Sequence, residues 1–293
     1  MERMITLSNG HRVWTRQLGD GPGLPLLLLH GGPGAGQDYL EPLGALADER
    51  PVIFFDQLGC GRSDRPDNRA LWTIERFADE VAEVRAALGL ERCHILGQSW
   101  GGWLCIEYML RRPPGVASVT LASTSCSIPQ FRAECDRLIA LLPAEHARAL
   151  TELGAAGRFD DPAYLAAVEV FYARHLCRLP DWPDCMLRTI ANLDGNVVYD
   201  TINGPNEFTV IGNLRHWDRT ADLHRISEPV LITCGRHDEL GPPCAARMQA
   251  QLPDARTAIF EESAHAAHLE EPEAYNACLA DFLRRYDGRG ARM

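Results

Sequence analysis

Leu24–Leu29 and Val52–Phe55 are apolar throughout, and each ends abruptly in a glycine-containing loop. A strand with one face in water alternates polar and apolar residues, so a continuous apolar run belongs to a strand buried on both faces. Only a sheet covered by helices on both sides buries strands in that way. The stretch between Thr73 and Leu88 supplies such a helix. Ile74, Phe77, Val81, Val84 and Leu88 recur in steps of three and four, and Gly89 closes the run. Further strand-like runs at Cys93–Leu96, Val116–Leu121, Pro229–Cys234 and Arg256–Phe260 alternate with helical stretches at Trp103–Leu110, Cys244–Leu252 and Pro272 to Arg285. That rhythm predicts an α/β fold with a mostly parallel sheet and right-handed crossovers. Ahead of it, Met4–Leu7 and Val13–Leu18 flank Asn9-Gly10 and read as a hairpin with a two-residue turn.

From about Ile128 the rhythm changes. Phe131–Leu142, Ala144–Leu153, Ala163–Leu179 and Cys185–Leu193 all read as helices, with prolines at 129, 143, 162, 180 and 183 between and within them. An all-helical insertion in an α/β domain reads as a cap over one edge of the sheet. The expected organisation is therefore an α/β domain of residues 1–127 and 222–293 and a helical cap of 128–221. Asp287–Met293 is expected to fray.

Gly97-Gln98-Ser99-Trp100-Gly101 lies between a strand and a helix, the context of a nucleophile elbow that exposes one serine at a sharp corner. A serine hydroxyl needs a base, and the base needs a carboxylate to fix its tautomer. In this plan the acid and the histidine follow the serine, in that order, after later strands. Asp238 and His265 hold those places. Glu239 is a rival for the acid and His268 for the base; His265 is preferred because it comes sooner after its strand. His94 and His237 adjoin strand ends and read as structural. The oxyanion of such a reaction needs preorganised N–H donors, expected from Trp100, directly after the serine, and from Gly31.

Composition removes several other chemistries. All 29 basic residues are arginine, which excludes a Schiff-base lysine, a P-loop lysine and a Ser-Lys dyad. A net charge of −11 disfavours nucleic acid and anionic membranes as partners. The ten cysteines are scattered without a C-x-x-C pair, so neither a zinc site nor a disulfide framework is expected. No cofactor or metal is called for, and the role of Cys60 is left open. The N-terminus lacks a signal-peptide pattern, and no apolar run is long enough to span a bilayer. A reducing cytoplasm is the expected compartment, with oligomeric state open.

His30-Gly31-Gly32-Pro33-Gly34, Asp56-Gln57-Leu58-Gly59-Cys60-Gly61-Arg62-Ser63, Gly97-Gln98-Ser99-Trp100-Gly101-Gly102 and Gly235-Arg236-His237-Asp238-Glu239 together resemble the proline iminopeptidase family of α/β-hydrolases. Asn203-Gly204-Pro205-Asn206-Glu207-Phe208 is similar to the branch containing the tricorn-interacting aminopeptidases. Leu58 stands where many proline iminopeptidases have arginine, and Gln98 points to the tricorn-associated branch and related amino-acid amidases. The resemblance implies the α/β-hydrolase fold and release of an N-terminal residue, proline or another small hydrophobic one, from short peptides or amides. It also implies that Glu207 and Glu239 hold the substrate's α-ammonium, with Tyr199 adding a hydrogen bond. An amino-acid amidase or small-molecule esterase uses the same machinery. A non-catalytic binding module is the reading from another class, disfavoured because Ser99, Asp238 and His265 are all present.

Overall fold

The computed structural model describes residues 1–288. Eight strands form one sheet: β1 (Glu2–Thr6), β2 (Arg12–Leu18), β3 (Leu26–Leu29), β4 (Val52–Phe55), β5 (Cys93–Gln98), β6 (Val116–Ala122), β7 (Val230–Gly235) and β8 (Ala255–Phe260). Their order is β1-β2-β4-β3-β5-β6-β7-β8, and only β2 runs against the rest. The mostly parallel sheet expected from the apolar runs is therefore present. Strand alternation divides the core in two. Leu27, Leu29, Ile53 and Phe55 join one apolar cluster, while Leu26, Leu28, Val52 and Phe54 join the other. Each strand thus sends successive side chains into opposite layers, as burial on both faces requires.

The helices are α1 (Ile74–Ala87), α2 (Trp100–Leu110), α3 (Ile128–Ile139), α4 (Ala144–Arg148), α5 (Pro162–His175), α6 (Asp184–Leu193), α7 (Val197–Ile202), α8 (Pro242–Gln251), α9 (Ala267–Glu270) and α10 (Pro272–Asp287). None is long and apolar enough to cross a membrane. Between β6 and β7 the chain is helical, and it leaves and returns side by side. Ile128 N donates to Trp217 O, and Arg219 N donates to Cys126 O. Glu107 of α2 ties down the returning strand of this neck by accepting from Trp217 Nε1 at 2.7 Å and Arg219 Nε at 2.6 Å.

Several local expectations change. The hairpin does not use a two-residue turn. Gly10 N donates to Leu7 O, Leu7 N to His11 O, and Gly10 alone carries a positive φ, of +85°. That is a turn closed by a left-handed glycine bulge, which needs one such residue rather than two. Helix α5 stops at His175, short of Leu179, because the His175 and Leu176 carbonyls accept the N–H groups of His265 and Ala266. Asp38–Asp48 forms an unanticipated 3₁₀ stretch around Pro42.

Asp287 does not fray. Its carboxylate accepts from Leu24 N at 2.9 Å and from Arg50 at 2.8 Å, and lies 3.1 Å from His94 Nε2. Arg50 is only 1% exposed, so Asp287 is the counter-charge of a buried cation. The remainder of the expected tail, 289–293, lies outside the described residues. Asp287→Ala should cost about 3 kcal/mol of stability, the low end for stranding one member of a buried pair, because Asp287 itself is partly solvated. Chemical denaturation of the variant measures it, and a loss below 0.5 kcal/mol on this order-of-magnitude scale would refute the clamp.

Candidate active site

Strand order reverses at β3, whose neighbours are β4 on one side and β5 on the other. Ligands of open α/β sheets bind at such a point, beyond the carboxyl ends of the strands. Here β3 ends at His30-Gly31-Gly32 and β5 ends at Ser99, with Leu29 paired to Gly97. Ser99 has φ +57° and ψ −123°, outside the ordinary basins of a serine. Its backbone is held on both sides: Ser99 N donates to Ala122 O, and its carbonyl accepts from Gly102 N and Thr124 Oγ1. The flanking glycines are required by contact. A Cβ on Gly97 would lie 2.1 Å from Gly101 O, and one on Gly101 would lie 2.0 Å from Leu29 O. Strain at the corner is thus maintained by surroundings that leave no alternative.

Asp238 follows β7 and His265 follows β8. His265 Nδ1 lies 2.9 Å from Asp238 Oδ1, which also accepts Leu240 N at 2.8 Å. Donation from Nδ1 leaves Nε2 as the free base position. Ser99 and His265 line the same cavity. Burial works against a charge on His265, but Asp238, then Glu239 and Glu207, outweigh it and raise the imidazole to about 9. The rival His268 has a different occupation. Its Nε2 meets Tyr39 O at 3.0 Å, and burial lowers it to about 4. The His94 ring is taken up by Ser118 and Asp287, whereas His237 is exposed and contributes its backbone carbonyl to His175.

The loop donor for an oxyanion requires a correction. Gly31 N–H is already donated to the Tyr39 hydroxyl at 2.7 Å, so it is not free for substrate. Gly32, not Gly31, lines the cavity with Ser99. Trp100 keeps its position directly after the serine, its indole anchored to Gln57 Oε1 at 2.8 Å.

Glu207, Glu239 and Tyr199 are brought together beside His265. Tyr199 donates its hydroxyl to Glu207 Oε1 at 2.9 Å, and Glu207 lines the cavity. Glu239 is 1% exposed, and both its carboxylate oxygens lack a hydrogen-bond partner among the described residues. Burial pushes Glu239 well above the usual range, with Glu207 and Asp238 adding to the rise and His265 opposing it. Burial likewise raises Glu207, against His265 and the Tyr199 hydroxyl. A buried carboxylate lacking partners, as Glu239 does, leaves room for a cationic donor.

Other supporting groups were not legible in the sequence. Gln57 joins two loops by accepting from Trp100 and donating to His30 O at 2.9 Å. Asn196 Nδ2 bridges Gly34 O and Gly59 O, while its Oδ1 caps α7, the helix that carries Tyr199. The rest of the cavity wall is apolar and comes largely from Leu176, Met186, Ile190 and Leu193. His30, Asp56 and Cys60 have ligating atoms within 4.8 Å of one another, but their hydrogen bonds are committed. His30 Nε2 accepts Gln57 N, Asp56 accepts Gln37 N and Arg62 N, and the Cys60 thiol donates to Gln57 O. Burial pushes the Cys60 thiol well up, away from the thiolate a metal would need. Cys60 thus belongs to the internal bonding of its loop.

The chain is similar to known proteins over most of its length. A family model described as alpha/beta hydrolase fold matches residues 25–272. The proline iminopeptidase of Heyndrickxia coagulans is 39% identical over 282 residues, covering 96% of this chain and 98% of that protein. Among solved structures, the proline iminopeptidase of Mycobacterium smegmatis superposes with a TM-score of 0.92 at 38% identity, over 98% of this chain and 99% of that one. VinJ superposes with a TM-score of 0.94 at 36% identity and the same coverage.

Proposed function

The chain belongs to the α/β-hydrolases and, within them, to the proline iminopeptidase family, and from that premise we propose how its site works. It is a serine hydrolase of the aminopeptidase type. Ser99 attacks the carbonyl of a substrate's first residue, with His265 Nε2 taking the proton and Asp238 holding the imidazole. The N–H groups of Trp100 and Gly32 receive the oxyanion. His265 then returns its proton to the leaving amine, and water resolves the acyl-enzyme.

Selectivity for a free amino end rests on Glu207 and Glu239, with Tyr199 orienting Glu207. The observation that carries this is Glu239: a buried carboxylate with neither oxygen paired, beside a second carboxylate and the catalytic base. A substrate ammonium supplies the missing donors. Residues 128–221 serve as the cap domain over a catalytic domain of 1–127 and 222–293, and the cavity they help enclose suits short peptides or amino-acid amides. The residue released is proline or another small hydrophobic one. Ten unpaired cysteines fit a reducing, cytoplasmic setting. A panel of aminoacyl arylamides and simple acyl esters tests the assignment: activity confined to acyl esters would contradict it.

The pH dependence follows from the base. Only unprotonated His265 can accept the serine proton, and its neighbours raise it to about 9. For an ester substrate lacking an amino group, kcat/KM should therefore rise from neutral pH towards about 9, the free-enzyme pKa. Glu207→Gln removes one charge that favours the imidazolium, so this limb should move to lower pH. A limb unmoved in the variant would exclude the proposed coupling.

A further inference from the structure

Gln98 precedes the nucleophile, and its side chain does not reach towards bulk water. It is 2% exposed and accepts the hydroxyl hydrogen of Tyr39, while its Nε2 donates to the backbone carbonyl of His265 at 3.2 Å. Tyr39, 5% exposed, accepts Gly31 N–H at 2.7 Å through the same hydroxyl. One relay therefore runs from the β3 loop through Tyr39 and Gln98 to the loop of the base. Packing leaves it little freedom: a Cβ on Gly31 would lie 2.9 Å from both Gln98 Oε1 and the Tyr39 oxygen, and 3.0 Å from Ser99 Cβ. The backbone of Tyr39 is itself fixed, its N–H by Thr189 Oγ1 of α6 and its carbonyl by His268.

We infer that Tyr39 and Gln98 are positioning residues that align the oxyanion loop and the base with Ser99, acting on the transition state and not on amino-end binding. The reading rests on the roles given to Ser99, His265 and Gly32 above. By consuming Gly31 N–H, Tyr39 fixes the rotation of the loop that presents Gly32. By holding His265 O, Gln98 sets where the imidazole is rooted. The Tyr39 hydroxyl hydrogen and one Gln98 amide hydrogen are spent within the relay, so although both side chains line the cavity the second Gln98 hydrogen is the one donor left for a substrate. Misplacement of reacting groups by about 1 Å is enough to lose roughly 100-fold in rate.

Tyr39→Phe and Gln98→Met each remove hydrogen bonds while keeping most of the volume, and should lower kcat about 100-fold with KM for an aminoacyl arylamide changed less than about threefold. An aminoacyl boronate, which forms a tetrahedral adduct on serine, should lose affinity in parallel with kcat/KM. An amino alcohol, which carries only the ammonium end, should bind as before. Because the residues act in series, the double variant should be no slower than about threefold below the worse single one. Effects that multiply, amino-alcohol affinity that falls with kcat, or kcat retained within threefold would each overturn the inference. Thermal melts verify that both variants are folded; should one fail to fold, the other carries the same kcat, boronate and amino-alcohol comparison. Labelling of the unmodified enzyme at Ser99 by a fluorophosphonate separates failure of this inference from failure of the catalytic reading itself.

Discussion

Ser99→Ala should lower kcat on an aminoacyl arylamide by roughly 10⁴- to 10⁶-fold, with the folded state intact. The hydroxyl is the only group removed, and the replacement accepts the same backbone, at φ +57° and ψ −123°, as well as serine does. The neighbours that hold this corner bond to the backbone of residue 99: Ala122 O, Gly102 N and Thr124 Oγ1. The proposed oxyanion donors at Trp100 and Gly32 survive, so a small rate above the uncatalysed reaction should persist. Steady-state kinetics with a melt of each protein measures both halves of the expectation. Retention of more than about one per cent of the activity would remove Ser99 as nucleophile.

The second large effect concerns the amino end. Glu207→Gln should cost about 2–5 kcal/mol in kcat/KM on a free aminoacyl arylamide, roughly 30- to 4000-fold, because it truncates one partner of a desolvated charge pair. The N-acetylated counterpart has no ammonium to pair. It should be a poor substrate of the unmodified enzyme and lose less than about threefold in the variant. Glutamine retains an oxygen to accept the Tyr199 hydroxyl at the place where Glu207 Oε1 now accepts it, so the local fold should hold. Equal losses on both substrates would show that Glu207 supports the site structurally and does not recognise the amino group.

How far the site could be read from the chain depended on distance along it. Ser99, Asp238 and His265 each sit within a few residues of a recognisable strand end, so order and local context were enough to choose them. Gly31 shows where local context stops. The Gly31 N–H is spent on the Tyr39 hydroxyl, and nothing in His30-Gly31-Gly32 announces that partner. Asn196 and Gln57 escaped for the same reason, since their roles consist of bonds to loops remote in sequence. The central strands were legible because full burial leaves a continuous apolar signature. The 3₁₀ stretch at Asp38–Asp48 was not, because Pro42 and an irregular spacing hide its period. Helix α7 has six residues, too few for a helical period to register, and its start is marked only by the Asn196 cap. Asp287 looked like the start of a loose end because its counter-charge, Arg50, lies on the far side of the sequence.

Trapping the acyl-enzyme is the decisive test of Ser99 as the nucleophile for substrates with a free amino end. The purified protein is mixed with an aminoacyl ester, quenched in acid within the first turnover, digested and mapped by mass spectrometry. One aminoacyl adduct is expected, on the peptide containing Ser99, absent from Ser99→Ala and much weaker, as the N-acetylaminoacyl adduct, with the N-acetylated ester at the same concentration. Release of the amino acid with no adduct at Ser99, or an adduct on another residue that turns over at the steady-state rate, would contradict that expectation.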